Sequence, residues 1–435
     1  MKKRVLAAIL AISMMACSML GGCGAKEEKN EAKTAEEAAA GTKAGSDTEG
    51  APDFSGVTLS LYYGTQLYED MMNNLTADFK EQTGADIVYR IADGSASLKT
   101  MWAAGEAPDI ISINGYADLL SWKEHLYDLS DESWIEDCSP SALASVSIDD
   151  VVYAMPSVLG TSGILYNKTM FADAGIEKVP ETLTELEEAC KKLQEKGYQP
   201  FGDTYQLWGF NMHLLSILFA YEEDNAEVIE AGLADGSKTY ADFTNIDNWF
   251  RLIDLSKEYG FGEDGVAYSI NEQMADFASG KFAMVRQGTW IGETIAATSD
   301  IDFGMFAIPC TDNAADTKVM PTYADLLAVN KDSENLECAL YFLDWLEANA
   351  QNYLVDQMGL MASFSGMDIS GLNAAYQDAY KYLEEGKAFS RFGLENWPAG
   401  YIESQSPYIQ AYVAGESDKE TTIKDLTELY RSMSE

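Results

Sequence analysis

The chain is 435 residues long and carries 71 acidic against 29 basic side chains, a formal net charge of −42. That balance repels polyanions and leaves no basic stripe for phosphate contacts, which excludes nucleic acid as a partner; it disfavours an anionic solute and is indifferent to a neutral one. The 47% apolar content suits a globular protein, and from Phe54 onward roughly 380 residues remain, more than a single core usually supports, so two domains are expected.

Lys2, Lys3 and Arg4 precede an apolar run over residues 5–20, the charged-then-hydrophobic order of an export signal. The run is shorter than the roughly 20 residues that cross a bilayer. It ends at Leu20-Gly21-Gly22-Cys23, which resembles the box at which bacterial lipoproteins are cleaved and acylated. Residues 1–22 are therefore read as a signal peptide and Cys23 as the lipid-bearing first residue of the mature chain, although Gly21 stands where the pattern has a small aliphatic or hydroxyl residue. Residues 23–53 are crowded with Lys, Glu, Ala, Gly, Ser and Thr, a composition that cannot bury enough surface to order itself. This stretch reads as a flexible tether.

Residues 57–63 predict a strand ending at Gly64, after which Leu67, Met71, Leu75 and Phe79 recur at helical spacing up to Gly84. A second strand is expected at 86–91, a short helix at 97–104 closed by Gly105, and a third strand at 109–113 entering a turn at Asn114-Gly115. Such alternation implies a parallel sheet with helices on both faces. Residues 151–155 and 163–166 predict two further strands around Pro156, and Thr182-Leu183-Thr184-Glu185 supplies a capping box for a helix ending near Gly197. Helices at 208–221 and 245–259, a strand within 279–287, strands at 303–308 and 326–329, and helices at 335–350 and 372–385 complete the order. Two α/β sheets with several chain crossings fit it better than one very large sheet.

Beyond the leader, Cys138, Cys190, Cys310 and Cys338 are scattered without metal-ligand spacing, so they read as buried thiols with no metal site, one disulfide among them staying open as an alternative outside the cell. The only histidines are His125 and His213, and neither adjoins a hydrolase motif, which leaves a nucleophile–histidine pair poorly supported.

Several short segments then occur in a telling order. Ala107-Pro108-Asp109-Ile110-Ile111 is followed by Tyr153-Ala154-Met155-Pro156, Leu165-Tyr166-Asn167-Lys168 and Phe171-Ala172-Asp173-Ala174-Gly175-Ile176. Pro180-Glu181-Thr182-Leu183 comes next, then the run from Phe277-Ala278-Ser279-Gly280-Lys281 to Gly288-Thr289-Trp290, Phe303-Gly304-Met305-Phe306, and Ala328-Val329-Asn330-Lys331. Together these resemble the family 1 extracellular solute-binding proteins of ABC importers, the group that includes oligosaccharide-binding lipoproteins. The resemblance implies an α/β fold of the two-lobed type II periplasmic-binding kind, each lobe a sheet flanked by helices, with the ligand in the cleft between them. Residues 54–162 and 326–364 would form lobe 1, and 163–320 and 366–435 lobe 2. It further implies ABC permease subunits as partners, no cofactor, no catalysis, a monomeric state, and a place at the extracellular face of the cell membrane through Cys23. Most motif residues, among them Pro108, Asn167, Lys168 and Pro309, read as strand-end and turn residues.

A sugar presents apolar C–H faces and a rim of hydroxyls, so a matching site needs flat aromatic rings and polar side chains. By the resemblance, Trp290, Tyr268, Trp208 and Trp397 fall where relatives present rings to the solute. Tyr63, Thr65, Gln66, Asn114 and Tyr116 follow the first and third strands, at the carboxyl ends where open α/β sheets bind ligands. Tyr323 and Asp325 lie on a crossing segment and are candidates for solute contact or for the hinge. The remaining tryptophans sit at helix-like positions and are expected in the core or on the surface. A secreted glycoside hydrolase is the enzyme alternative, since 71 acids readily furnish a carboxylate pair, and a surface adhesin is a third reading.

Overall fold

The computed structural model describes residues 51–63, 69–91, 95–113, 115–206, 211–222, 225–390, 397–398 and 400–434. The signal peptide, Cys23 and residues 24–50 of the expected tether lie outside them. Among the described residues no helix is long and apolar enough to cross a membrane.

The first half opens as the alternation predicts. Strand β1 (Thr58–Tyr62) pairs in parallel with the edge strand β2 (Asp86–Arg90) and with β3 (Ile110–Ile113), whose four residues are all buried. Helix Glu69–Thr83 turns Met71, Met72, Leu75 and Phe79 inward, and Phe79 meets Phe342 and Trp345 edge-on at 5.3 and 5.2 Å. Those two rings come from helix Leu336–Ala348, so elements far apart in sequence close one apolar layer.

A hairpin of β4 (Ser147–Ile148) and β5 (Val151–Val152) follows, with Asp149 and Asp150 at φ 53 and 64 in its turn. Next comes β6 (Met155–Asn167), a single strand of 13 residues where two were expected. Pro156 does not break it. On the strand's second edge pairing begins only at Val158 with β11 (Met361–Ala362) and at Ser162 with β8 (Phe282–Gly288), so the missing N–H removes no ladder bond there. Strand β7 (Gln199–Phe201) pairs with β8, and β9 (Phe303–Phe306) with β6. Strand β10 (Met320–Val329) runs antiparallel to both β3 and β6, starting six residues before the expected strand because Pro321, Thr322 and Asp325 interrupt its apolar pattern.

The two expected sheets are therefore hydrogen-bonded into one, in the order β2-β1-β3-β10-β6-β8-β7. Among the described residues three apolar clusters nonetheless lie along it, the third being Leu165, Phe277, Phe282, Val285, Ile295 and Met305 with Trp290 and Tyr268 packed at its edge. The first gathers Leu59, Phe79, Ile111, Met155, Val158, Leu326 and Phe342; the second gathers Ile164, Leu215, Phe219, Ile253, Met284 and Met320. Strands β6 and β10 each contribute to the first and second of these, and so form a two-strand ribbon that joins the lobes. Helix Met212–Ala220 is buried at every residue in the second core, flanked by Ile246–Tyr259 and by two helices not anticipated from sequence, Tyr401–Val413 and Lys419–Ser434. Thr182 caps helix Leu183–Glu195 through the Glu185 N–H as expected, but the Glu185 carboxylate accepts from Glu181 N–H.

Candidate functional site

After Gly288 the chain turns through Thr289–Ile291 into helix Gly292–Thr298, which lays the indole of Trp290 across the ribbon. A Cβ placed on Gly160 would meet the Trp290 ring at 3.1 Å and Thr322 Oγ1 at 3.0 Å, and one on Gly288 would overlap the ring at 2.0 Å. Glycine at both positions is what makes room for a flat side chain here. The Thr161 N–H donates to Thr289 Oγ1 at 3.1 Å, which pins the turn to β6. Beside the indole stands His213, with ring centroids 5.3 Å apart at 32°, and its Nδ1 lies 2.9 Å from Ser162 Oγ. Trp290 itself keeps part of its surface open.

From the first lobe, Tyr63 follows β1, is buried in the first core at 5% exposure, and donates its hydroxyl proton to Asp325 Oδ2 at 3.4 Å. Asp325 has φ 51, a left-handed conformation that non-glycine residues adopt at a cost of order 1 kcal/mol or more. The Ser157 hydroxyl donates to its carbonyl at 2.6 Å and helps hold that conformation. The residue as a whole is half-buried while its carboxyl group is enclosed, and loss of hydration pushes that carboxyl up to about 6 against the opposing pull of the Tyr63 hydrogen bond. The register places Asp325 level with Ser157, three residues, or about 10 Å, from Gly160 along β6. A flat ring and an enclosed carboxyl thus bracket a stretch of ribbon whose residues, 156–162 and 320–326, include no Lys or Arg.

The other candidates divide. Tyr116 begins helix Tyr116–Trp122 after Gly115 at φ 87 and is half-buried against the first core. Thr65, Gln66, Asn114 and Trp208 lie outside the described residues. Tyr323 turns to the first lobe, its hydroxyl 2.7 Å from Ser141 Oγ and 3.2 Å from Ser139 Oγ, so it braces the ribbon against that lobe.

Two candidates have partners away from the ribbon. Tyr268 packs edge-on against Phe261 at 4.8 Å and donates to Asp276 at 2.7 Å, and Lys281, just ahead of β8, stands over its ring. Trp290 follows the other end of that strand, and both rings border the third apolar cluster. Trp397 is a core residue, 5% exposed, wedged against Phe219 at 4.8 Å and Tyr401 at 5.4 Å. A Pro-marked loop can deliver a ring inward as readily as into a cleft, and here the apolar helix Met212–Ala220 offered it more burial.

Sequence reasoning set His213 aside because no neighbour in the chain suggested a partner; its partners, Ser162 and Trp290, come from β6 and from the turn after β8. The signal that was present is a lone imidazole within an apolar helix. Gly160, Thr289 and Thr322 were likewise missed, being small residues without a chemical motif. Among the described residues no group of three or more His, Cys, Asp or Glu is placed to hold a metal ion, and Cys138, Cys190, Cys310 and Cys338 are free thiols.

Comparison with known proteins gives concordant matches. The family described as "bacterial extracellular solute-binding protein" matches residues 64–353. The multiple sugar-binding protein of Streptococcus mutans is 26% identical over 265 residues, covering 58% of this chain and 62% of that one. The diacetylchitobiose binding protein of Streptomyces coelicolor is 26% identical over 330 residues, covering 71% and 70%. This chain thus spans between three-fifths and about seven-tenths of these relatives' own lengths. Among solved structures, ligand-free RafE from Streptococcus pneumoniae superposes with a TM-score of 0.75 at 20% identity, covering 88% of this chain and 99% of RafE. A complex of RafE with raffinose superposes at 0.71, with 19% identity and coverages of 87% and 100%.

Proposed function

Because the chain belongs to the bacterial extracellular solute-binding protein family, we propose that it captures a neutral oligosaccharide by closure of its two lobes and delivers it to the permease subunits of an ABC importer. The observation that carries this reading is the placement of Trp290. Its indole lies on the ribbon that joins the lobes, over glycines that clear space for it, about 10 Å along the strand from the enclosed carboxyl of Asp325. A ring of this kind matches the C–H face of a sugar, and a hydrogen-bonded carboxyl matches its hydroxyl rim. The absence of Lys and Arg from the ribbon favours a solute without formal charge. Asp325, hydrogen-bonded by the buried Tyr63, would meet the solute from the crossing segment beside the first lobe and Trp290 from the second, with residues 54–162 and 326–364 moving against 163–320 and 366–435. Sugar-binding relatives, one of them solved with raffinose, support the solute class. Cys23, acylated after removal of residues 1–22, would hold the monomer at the outer face of the membrane by a tether.

The test is a thermal-shift screen of the mature protein against raffinose, stachyose and diacetylchitobiose, since a ligand that binds only the folded state raises the melting point by mass action. A saturable rise with intact sugar recovered afterwards is expected for at least one of them. Turnover of the sugar, or no rise with any oligosaccharide alongside a rise with a charged solute, defeats the reading. For the anchor, Cys23→Ser is expected to release the exported protein from the membrane fraction; a variant that stays bound through a salt wash rules lipidation out.

A further inference from the structure

The glycines beneath Trp290 give its ring room, but a residue without a side chain offers no lateral restraint on how the ring tilts. The edge of the third apolar cluster borders the ring, and a further contact fixes its tilt. His213 supplies it: it projects from the wholly buried helix Met212–Ala220, is itself 4% exposed, and packs against the indole at a tilt of 32°. An imidazole so buried needs partners for its ring nitrogens, and Nδ1 meets the Ser162 hydroxyl at 2.9 Å. Ser162 is not an incidental partner. It is the residue of β6 paired with Met320 on one side and Gly288 on the other, the point at which the strand passes from the first core to the second. Gly288 in turn lies under the Trp290 ring. One imidazole therefore touches both the crossing strand and the aromatic platform.

We infer that His213 is the positioning residue of the Trp290 platform, tying the plane of the indole to the crossing strand through the Ser162 hydroxyl. The Ser162 bond orients the imidazole, the tilted imidazole packed beside the indole sets its plane, and the solute meets a ring already held for stacking, which lowers the ordering cost of binding. The inference rests on the reading of Trp290 as the solute-facing ring, and it adds a residue that makes no solute contact of its own.

The experiment uses the mature chain labelled with 5-fluorotryptophan and observed by fluorine NMR, the Trp290 resonance being assigned by its loss in Trp290→Phe. Without solute, His213→Phe removes the bond to Ser162 while keeping a ring, and Ser162→Ala removes the hydroxyl alone. Both are expected to shift or broaden the Trp290 resonance and to leave the other tryptophan resonances in place, with little change in melting temperature. Affinity for raffinose is expected to fall about tenfold in the same variants, the scale of one aromatic pair. A Trp290 resonance that stays put in both variants overturns the inference, as does a raffinose affinity that is unchanged where the resonance moves. If the unmodified protein does not bind raffinose, that sugar is eliminated as the solute, and the fluorine spectrum alone still decides the role of His213. Should His213→Phe fail to fold, Ser162→Ala provides the same readout.

Discussion

Arg286 and Asp203 meet as an ion pair inside the second lobe, 2% and 1% exposed. The carboxylate also accepts the Arg286 N–H at 3.1 Å and the Ser256 hydroxyl at 2.7 Å, while the guanidinium lies 4.4 Å over the Phe201 ring. The pair thus staples β8 to the segment after β7 within the lobe that carries Trp290. Its net worth against an apolar pair of equal size is small, but removing one partner strands the other charge in the core. Asp203→Ala is expected to lower unfolding stability by about 3–5 kcal/mol in urea denaturation. A loss under about 1 kcal/mol would mean that water reaches the pair.

Gly160 makes a different kind of prediction, because its role is to be absent. A Cβ there stands 3.0–3.1 Å from Thr322 Oγ1 and the Trp290 ring, tighter than ordinary contact, so alanine requires a shift of a few tenths of an ångström. A branched side chain cannot be accommodated without moving the indole. Gly160→Val is expected to weaken solute binding by at least tenfold, and Gly160→Ala by less, in isothermal titration. Equal affinity in both variants and the parent would show that the indole does not need this seat.

These positions mark where the sequence was and was not legible. Helix Ile246–Tyr259 could be read directly because Trp249, Phe250, Leu252 and Ile253 repeat on one face. Strand β6 could not, because Pro156, Gly160 and Gly163 look like breaks, whereas each suits its place in the ladder; a Cβ on Gly163 would meet Met305 at 2.2 Å and the Phe306 carbonyl at 2.7 Å. Trp290 could be singled out from a motif that carries its own turn. The burial of Trp397 could not be read, since a ring on a loop looks the same in sequence whether it faces a cleft or a core. The Ser162–His213 contact joins residues 51 apart in the chain, and no local pattern encodes it.

Asp325 links the site to pH. Its carboxyl is raised from 3.8 to about 6 by enclosure, so between those values the folded state holds more proton than the unfolded chain. Stability from this group is therefore greatest on the acid side, declines as pH rises through the window, and above about 6 the full penalty is present. Asp325→Asn removes that penalty. Relative to the parent, it is expected to be more stable near neutral pH by roughly 1–3 kcal/mol and indistinguishable near pH 4. Urea midpoints of the two proteins measured across that range check the sign, and a variant less stable than the parent at neutral pH would show that the carboxylate is favourably held.

The last expectation sets Trp290 against Trp397, two tryptophans that sequence assigned to the same role. Trp397 is enclosed by Phe219 and Tyr401 in the second core, so Trp397→Ala leaves a cavity and is expected to cost about 3–5 kcal/mol of stability. The folded fraction should then bind solute with nearly the parent's affinity, because nothing at the ribbon has changed. Trp290 rests on glycines and on the edge of the third apolar cluster with part of its surface open, so its truncation creates a smaller enclosed void and removes the stacking face. Trp290→Ala is expected to cost about 2–4 kcal/mol of binding, roughly 30- to 1000-fold in affinity, with a smaller loss of stability. Measuring urea stability without solute and affinity by titration on both variants separates the two axes. If Trp290→Ala instead loses stability and keeps affinity, the indole belongs to the core and the solute must be held elsewhere along the ribbon.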